Sequence, residues 1–187
     1  MNVQVKRARD AERTAADILH AAQRVFSSHS YSEAGVRQIA ALAGVNPALV
    51  NRYFGGKEKL FEAALDEALD VRYLVEGERA DFGTRLVSLF IDGRPDGPHI
   101  NPLPMLVMST SDQGAREVAL RLLNEKIMAP LVASFEGADA EDRAAQLVAV
   151  ATGFFTFRLL LPLEPLVGEV SPGMRRWLAQ TIQAIVD

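Results

Sequence analysis

Apolar residues recur every three to four positions through most of this chain, and no stretch of useful length alternates with period two. That spacing belongs to helices that bury one face. Ile18, Leu19, Ala22, Val25 and Phe26 make the first such face. It predicts a helix over 14–27, with Thr14 as N-cap and a frayed polar tail over 1–12. Val36, Ile39, Ala40 and Ala43 make a second face, over 36–43. A third helix is short, 47–54, and Gly55-Gly56 ends it. A fourth runs from Lys57 to near residue 75, on Leu60, Ala63, Ala64, Leu65, Ala68, Leu69 and Val71. Helices follow over 82–91, a short 102–109, and 117–135, the last kinked at Pro130. The strongest break between them is the loop DGRPDGP at 92–98. The stretch 140–161 turns apolar nearly all round in its second half, and Pro162 and Pro165 stop it. Pro172 opens a last amphipathic helix to 186. The expected fold is all-α, about nine helices. It divides into an N-terminal unit over 1–56 and a helical body over 57–187.

Within 36–59 the residues suit a tight crossing of two helices. Ala40, Gly44 and Val50 stand at A-x3-G-x5-V. Ala40 is small enough for close approach, and Gly44 tolerates the positive φ that ends a helix. Val50 can pack back beneath the crossing. Asn46 is a fitting N-cap, and Pro47 takes the first helical position, where its missing N–H costs nothing. The second helix of such a unit is the usual probe of a DNA major groove.

The order V-R-x-I-A-x-x-A-G-V, N-P-A-L-V, N-R-Y-F, G-G-K-E-x-L-F resembles the TetR family of bacterial one-component transcription regulators. The specific match covers 14–65. The rest of the chain agrees in helix count and order only. The resemblance implies three N-terminal helices that bind double-stranded DNA at an inverted-repeat operator. It also implies a linking fourth helix, and a body that holds a small-molecule effector and pairs as a homodimer. The expected mode is a repressor released when the effector binds. Implied DNA-binding residues are Gly35, Arg37, Asn46, Pro47, Ala48, Asn51, Arg52, Tyr53 and Lys57. Tyr53 and Lys57 would meet phosphate. Arg37 would reach the backbone, and Asn51 and Arg52 would reach base edges or phosphate. Ala34-Gly35, Asn51 and Gly56 depart from the residues frequent in the family, which bears on the operator that is read.

Candidate pocket residues are Leu86, Phe90, Met105, Met108, Leu123, Ile127, Phe154 and Arg158, a largely apolar set with one cation for an anionic group. Arg158 could equally pair with Glu164 or with an acid across a dimer. Candidate seam residues are Phe157, Leu161, Met174, Trp177, Leu178 and Ile182.

Charge sharpens this division. Net charge is −4, yet residues 1–60 carry nine Lys/Arg against five acids, giving +4, and the remainder eleven against nineteen, giving −8. A basic head on an acidic body suits a small module that meets phosphate. There is no cysteine, which excludes disulfides and thiolate metal sites. No apolar run approaches the roughly 20 residues of a membrane span, and the basic N-terminus has no apolar stretch behind it. The expected location is cytoplasmic, with no membrane partner. His20, His29 and His99 stand in no metal or triad spacing, so no catalytic residue, metal or cofactor is expected. The rival readings are a helix-turn-helix that binds protein instead of DNA and, further off, a small helical enzyme.

Overall fold

The computed structural model describes residues 3–69, 77–93 and 100–187, and every element in them is helical. In chain order these are α1 (Val3–Ser28), α2 (Val36–Leu42), α3 (Pro47–Phe54), α4 (Lys57–Ala68), α5 (Phe82–Asp92), α6 (Leu103–Met108), α7 (Gln113–Leu123), α8 (Ala129–Ser134), α9 (Ala140–Phe155) and α10 (Pro172–Val186). A π turn, Asn124–Met128, joins α7 to α8, and a second, Thr156–Leu160, ends α9. The expected loop at 92–98 is described only to Gly93, and the expected end of the fourth helix falls outside the described residues.

Three expectations about boundaries are corrected. The first helix begins at Val3, not near Thr14. Residues 3–13 contain no Gly or Pro and several strong helix formers, so nothing stops propagation. Thr14 is inside the helix, and its Oγ1 donates back to Asp10 O at 2.7 Å instead of capping. The helix expected from 117 begins at Gln113, capped by Asp112 Oδ1, which accepts from Ala115 N at 2.9 Å. Its interruption lies at 124–128, ahead of Pro130. Proline lacks the N–H that would close the preceding turn, and the i→i+5 turn takes up the misfit upstream.

The described chain forms two compact units. Unit 1 is Met1–Leu69 with Ile100–Leu122, so α6 and α7 are grouped with α1 to α4. Ile18, Ala22, Phe26, Ile39, Val50, Leu60, Phe61, Leu65 and Met105 form its buried interior. One buried amide crosses it: Gln23 Nε2 on α1 donates to Ala64 O at 3.2 Å and to Glu67 Oε2 at 2.9 Å on α4.

Unit 2 is Asp70–His99 with Leu123–Asp187. Its core joins α5, α8, α9 and α10 through Leu86, Leu131, Leu147, Phe154, Leu178 and Ile182, among others. Gly83 lets α5 lie directly on α10, and its N–H donates to Gln183 Oε1 at 2.9 Å. The C-terminal carbonyls of α10 are met by guanidinium groups. Arg143 donates to Ile185 O at 2.6 Å and also to Val186 O, which Arg79 shares.

Arg175 of α10 holds Asp92 of α5 in a two-pronged pair, at 2.7 and 3.0 Å. That hydrogen-bonded guanidinium holds the Asp92 carboxyl below its ordinary range. A carboxylate of depressed pKa adds stability above its unfolded pKa and loses it as pH falls through the folded one. Asp92→Asn should therefore melt below the parent chain at neutral pH. The gap should begin to close as pH falls into the ordinary Asp range, near about 4, and go on closing as it passes through the lower range of the folded carboxyl in calorimetric scans.

Candidate nucleic-acid interface

The turn between α2 and α3 is built by local hydrogen bonds. Gly44 adopts φ 67°. Gly44 N donates to Ala41 O at 3.2 Å and Val45 N to Ala40 O at 2.9 Å, the paired bonds of a Schellman ending. Asn46 then caps α3, its Oδ1 accepting from Ala48 N at 2.9 Å, with Pro47 as first helical residue. Ala40 and Val50 are fully buried at the crossing. Gly55, at φ 77°, closes α3 by donating to Asn51 O at 2.9 Å.

These restraints fix which side of α3 faces outward. Asn46, Pro47, Ala48, Asn51 and Arg52 are exposed, and so is Arg37 on α2. Gly35 begins α2 in an extended conformation and is half-buried. Tyr53 is half-buried beside Phe54 at the end of α3. The outward side is small or polar at every position named, a surface that can enter a groove without exposing apolar bulk.

Lys57 opens α4, which has no side-chain cap. Its ammonium lies 4.4 Å from the centre of the Tyr31 ring and donates to Ser32 O at 3.4 Å. Burial lowers its pKa, and the nearby Asp112 carboxylate works the other way. Burial also raises Tyr31, followed by Glu58 and Asp112. Tyr31 itself is fixed in an aromatic group, edge-on to Phe61 at 5.2 Å and stacked at 6.0 Å on Phe26. Neither Tyr31 nor Asp112 has a local signature in the sequence, because both act on a residue far from them in the chain.

The candidate pocket residues divide between the two units. Met105 is fully buried in unit 1 and Met108 is half-buried there. Leu86 and Phe154 lie in the core of unit 2. Phe90 stacks on Phe154 at 5.9 Å and meets Phe155 at 4.7 Å. Leu123 and Ile127 are half-buried. Arg158 is committed to backbone, donating to Leu166 O at 2.5 Å and Gly168 O at 3.4 Å, not to Glu164. A separate cleft in unit 2, walled by Arg79, Phe82, Arg85 and Phe135, uses residues that the sequence reading did not single out.

The seam candidates divide. Phe157, Leu161 and Trp177 are exposed at 44, 63 and 57%, and Met174 is half-buried. Leu178 and Ile182 are a correction: both are at most 1% exposed, inside the core of their own chain. The i, i+4 line of Leu178, Ile182 and Val186 faces inward, and Trp177 lies one step round the helix. Among the described residues no group of three His, Asp or Glu side chains could hold a metal, and no helix is long and apolar enough to cross a membrane.

Comparison with known proteins agrees with this geometry. Residues 18–64 match the family model described as bacterial regulatory proteins, tetR family. Residues 80–186 match that of the tetracyclin repressor-like C-terminal domain. The HTH-type transcriptional repressor NicS of Pseudomonas putida is 43% identical over 60 residues. That stretch is 32% of this chain and 28% of the relative, so the chain spans under a third of the length of the curated relative it matches. A TetR-family regulator from Streptomyces coelicolor A3 superposes with a TM-score of 0.55 at 26% identity, covering 94% of this chain and 95% of that one. The multidrug binding protein EbrR, solved with ethidium, superposes with a TM-score of 0.62 at 21% identity, covering 93% and 99%. With one family model over the turn and its flanking helices and another over more than half of the chain, this protein belongs to the TetR family of bacterial transcription regulators.

Proposed function

We propose that the chain is a repressor that grips an inverted-repeat operator with two copies of α3. Exposure of Asn46, Pro47, Ala48, Asn51 and Arg52 on one side of a doubly capped helix is the observation that carries this reading. Arg52 and Asn51 read base edges, and Pro47 and Ala48 allow close apolar approach. Gly35, Arg37, Tyr53 and Lys57 hold the phosphate backbone, and the uncapped start of α4 supports an anion beside Lys57. A homodimer with Phe157, Leu161, Met174 and Trp177 in its seam presents the two heads about 34 Å apart. An apolar effector, accepted in unit 2 beside the Phe90, Phe154 and Phe155 rings, releases the operator by favouring a second state. A near-complete release needs about 5.5 kcal/mol of preference for that state.

The test is a salt titration on a duplex that the chain itself selects from a randomised pool. With Arg37 and Lys57 from two subunits on phosphate, log K should fall against log salt with a slope of about −3 to −4. A flat response, or failure to select any duplex, overturns the reading. Selection of a duplex whose sites lack two-fold symmetry overturns the paired-head part of it.

A further inference from the structure

Lys57 rests on a seat built from residues far from it in the chain, and each part of the seat is itself held. The Tyr31 ring stacks on Phe26 at 6.0 Å and stands edge-on to Phe61 at 5.2 Å, and both of those rings are 1% exposed. Tyr31 N donates to Met108 O at 3.3 Å, which fixes the backbone at the ring. The turn that carries Tyr31 and Ser32 is closed by Glu33 N and Ala34 N, which donate to Ser30 O at 3.1 and 3.0 Å. The acid of that turn, Glu33, is taken up by Ser30, whose Oγ donates to Oε2 at 2.6 Å. The Lys57 ammonium lies 4.4 Å from the centre of the Tyr31 ring and donates to Ser32 O at 3.4 Å. A cation within about 6 Å of a ring centre is attracted by the negative face of the ring. All of these residues belong to unit 1.

A lysine has a long flexible stem and an ammonium with several N–H donors. The seat engages that ammonium with a ring face and a single carbonyl, so N–H groups remain for the oxygens of an anion. The start of α4, which has no side-chain cap, adds main-chain N–H groups beside it. Packing on Phe26 and Phe61 explains an aromatic ring at position 31. It does not explain why an ammonium is drawn onto that ring.

We propose that Tyr31, together with the Ser32 carbonyl, is a positioning residue for DNA binding, which holds the Lys57 ammonium at the start of α4 ahead of its phosphate. This rests on Lys57 as a phosphate contact. A side chain held before contact loses less freedom on binding. The seat therefore strengthens the grip, whereas a seat that competed with phosphate would weaken it.

The experiment uses the full chain and the duplex that the parent recovers from a randomised pool. In proton NMR of the free parent, the ring current of Tyr31 should move the ε-methylene signal of one lysine upfield, and Lys57→Gln should remove that signal. Tyr31→Phe should keep it, and Tyr31→Leu and Tyr31→Met should return it to the ordinary lysine position. On the duplex, Tyr31→Phe should bind like the parent, and the Leu and Met variants about fivefold to thirtyfold more weakly across two heads. In a Lys57→Gln background the same two changes should cost nothing further, the coupling that a double-mutant cycle isolates. A merely structural role for Tyr31 would cost as much without Lys57 as with it. An unshifted lysine signal in the parent, equal losses in the two backgrounds, or tighter binding by the Leu and Met variants overturns the proposal. The signal is read in the parent, so a variant that fails to fold leaves that arm standing. A shifted signal with unchanged affinity in Lys57→Gln instead overturns Lys57 as a phosphate contact, and the DNA role of the seat falls with it.

Discussion

Arg52→Ala should weaken binding of the selected inverted-repeat duplex by about a hundredfold. Arg52 is exposed in the last turn of α3, on the side that also carries Asn51 and Ala48. A good two-pronged contact to a base edge discriminates by about 1–3 kcal/mol, and two subunits each lose one. Even at about 1.4 kcal/mol per head the product is a factor of about 100. The fold should barely notice, since exposed positions away from caps and cores usually change stability by under about 0.5 kcal/mol. Binding isotherms on the selected duplex and on an unrelated one separate the two ways the loss can arise. A guanine contact gives a loss confined to the selected duplex. A phosphate contact gives a uniform loss and a salt slope shallower by about 2. Undiminished affinity on both duplexes would remove Arg52 from the interface.

Gly83→Ala should be the most damaging single methyl group in unit 2. A Cβ built on Gly83 would stand 2.2 Å from Ala179 O and 3.0 Å from Gln183 N, both backbone atoms of α10. Backbone cannot rotate away as a side chain can, so α5 and α10 must separate. Separation strains the core around Leu178 and Ile182, at about 1–3 kcal/mol for an extra methylene group. It also pulls the Gly83 N–H from Gln183 Oε1, which costs about 1–3 kcal/mol more if the donor stays buried. A loss near 3 kcal/mol lowers the melting temperature by about 10 °C in a chain of this size. Gly153→Ala is the matched control, because its Cβ would meet nothing within 4 Å and alanine favours the helix. Equal melting of the two variants would refute the close approach at Gly83.

What could be read in advance was what is written locally. The Asn46 cap, the Gly44 and Gly55 endings and the Pro172 start each depend on residues within a turn of one another, and all stand where the pattern put them. Thr14 misled because a threonine oxygen serves equally at a helix start or bonded back inside one. Leu178, Ile182 and Trp177 form one broad apolar stripe in sequence. Only the packing of α5 decides that the first two face inward and the third outward. Met105 and Phe154 were grouped by residue type, and chain topology places them in different units. The seat of Lys57 over the Tyr31 ring has no periodicity to betray it, since the two residues stand 26 apart in the chain.

Trp177 is the one tryptophan of the chain, and it stands 57% exposed on α10. Indole fluorescence is therefore a single-point signal from unit 2, whereas every DNA-contact candidate lies in unit 1. A change of emission colour on adding a duplex therefore reports the surroundings of α10, not the candidate contact residues themselves, and the protein carries this optical gauge without a label.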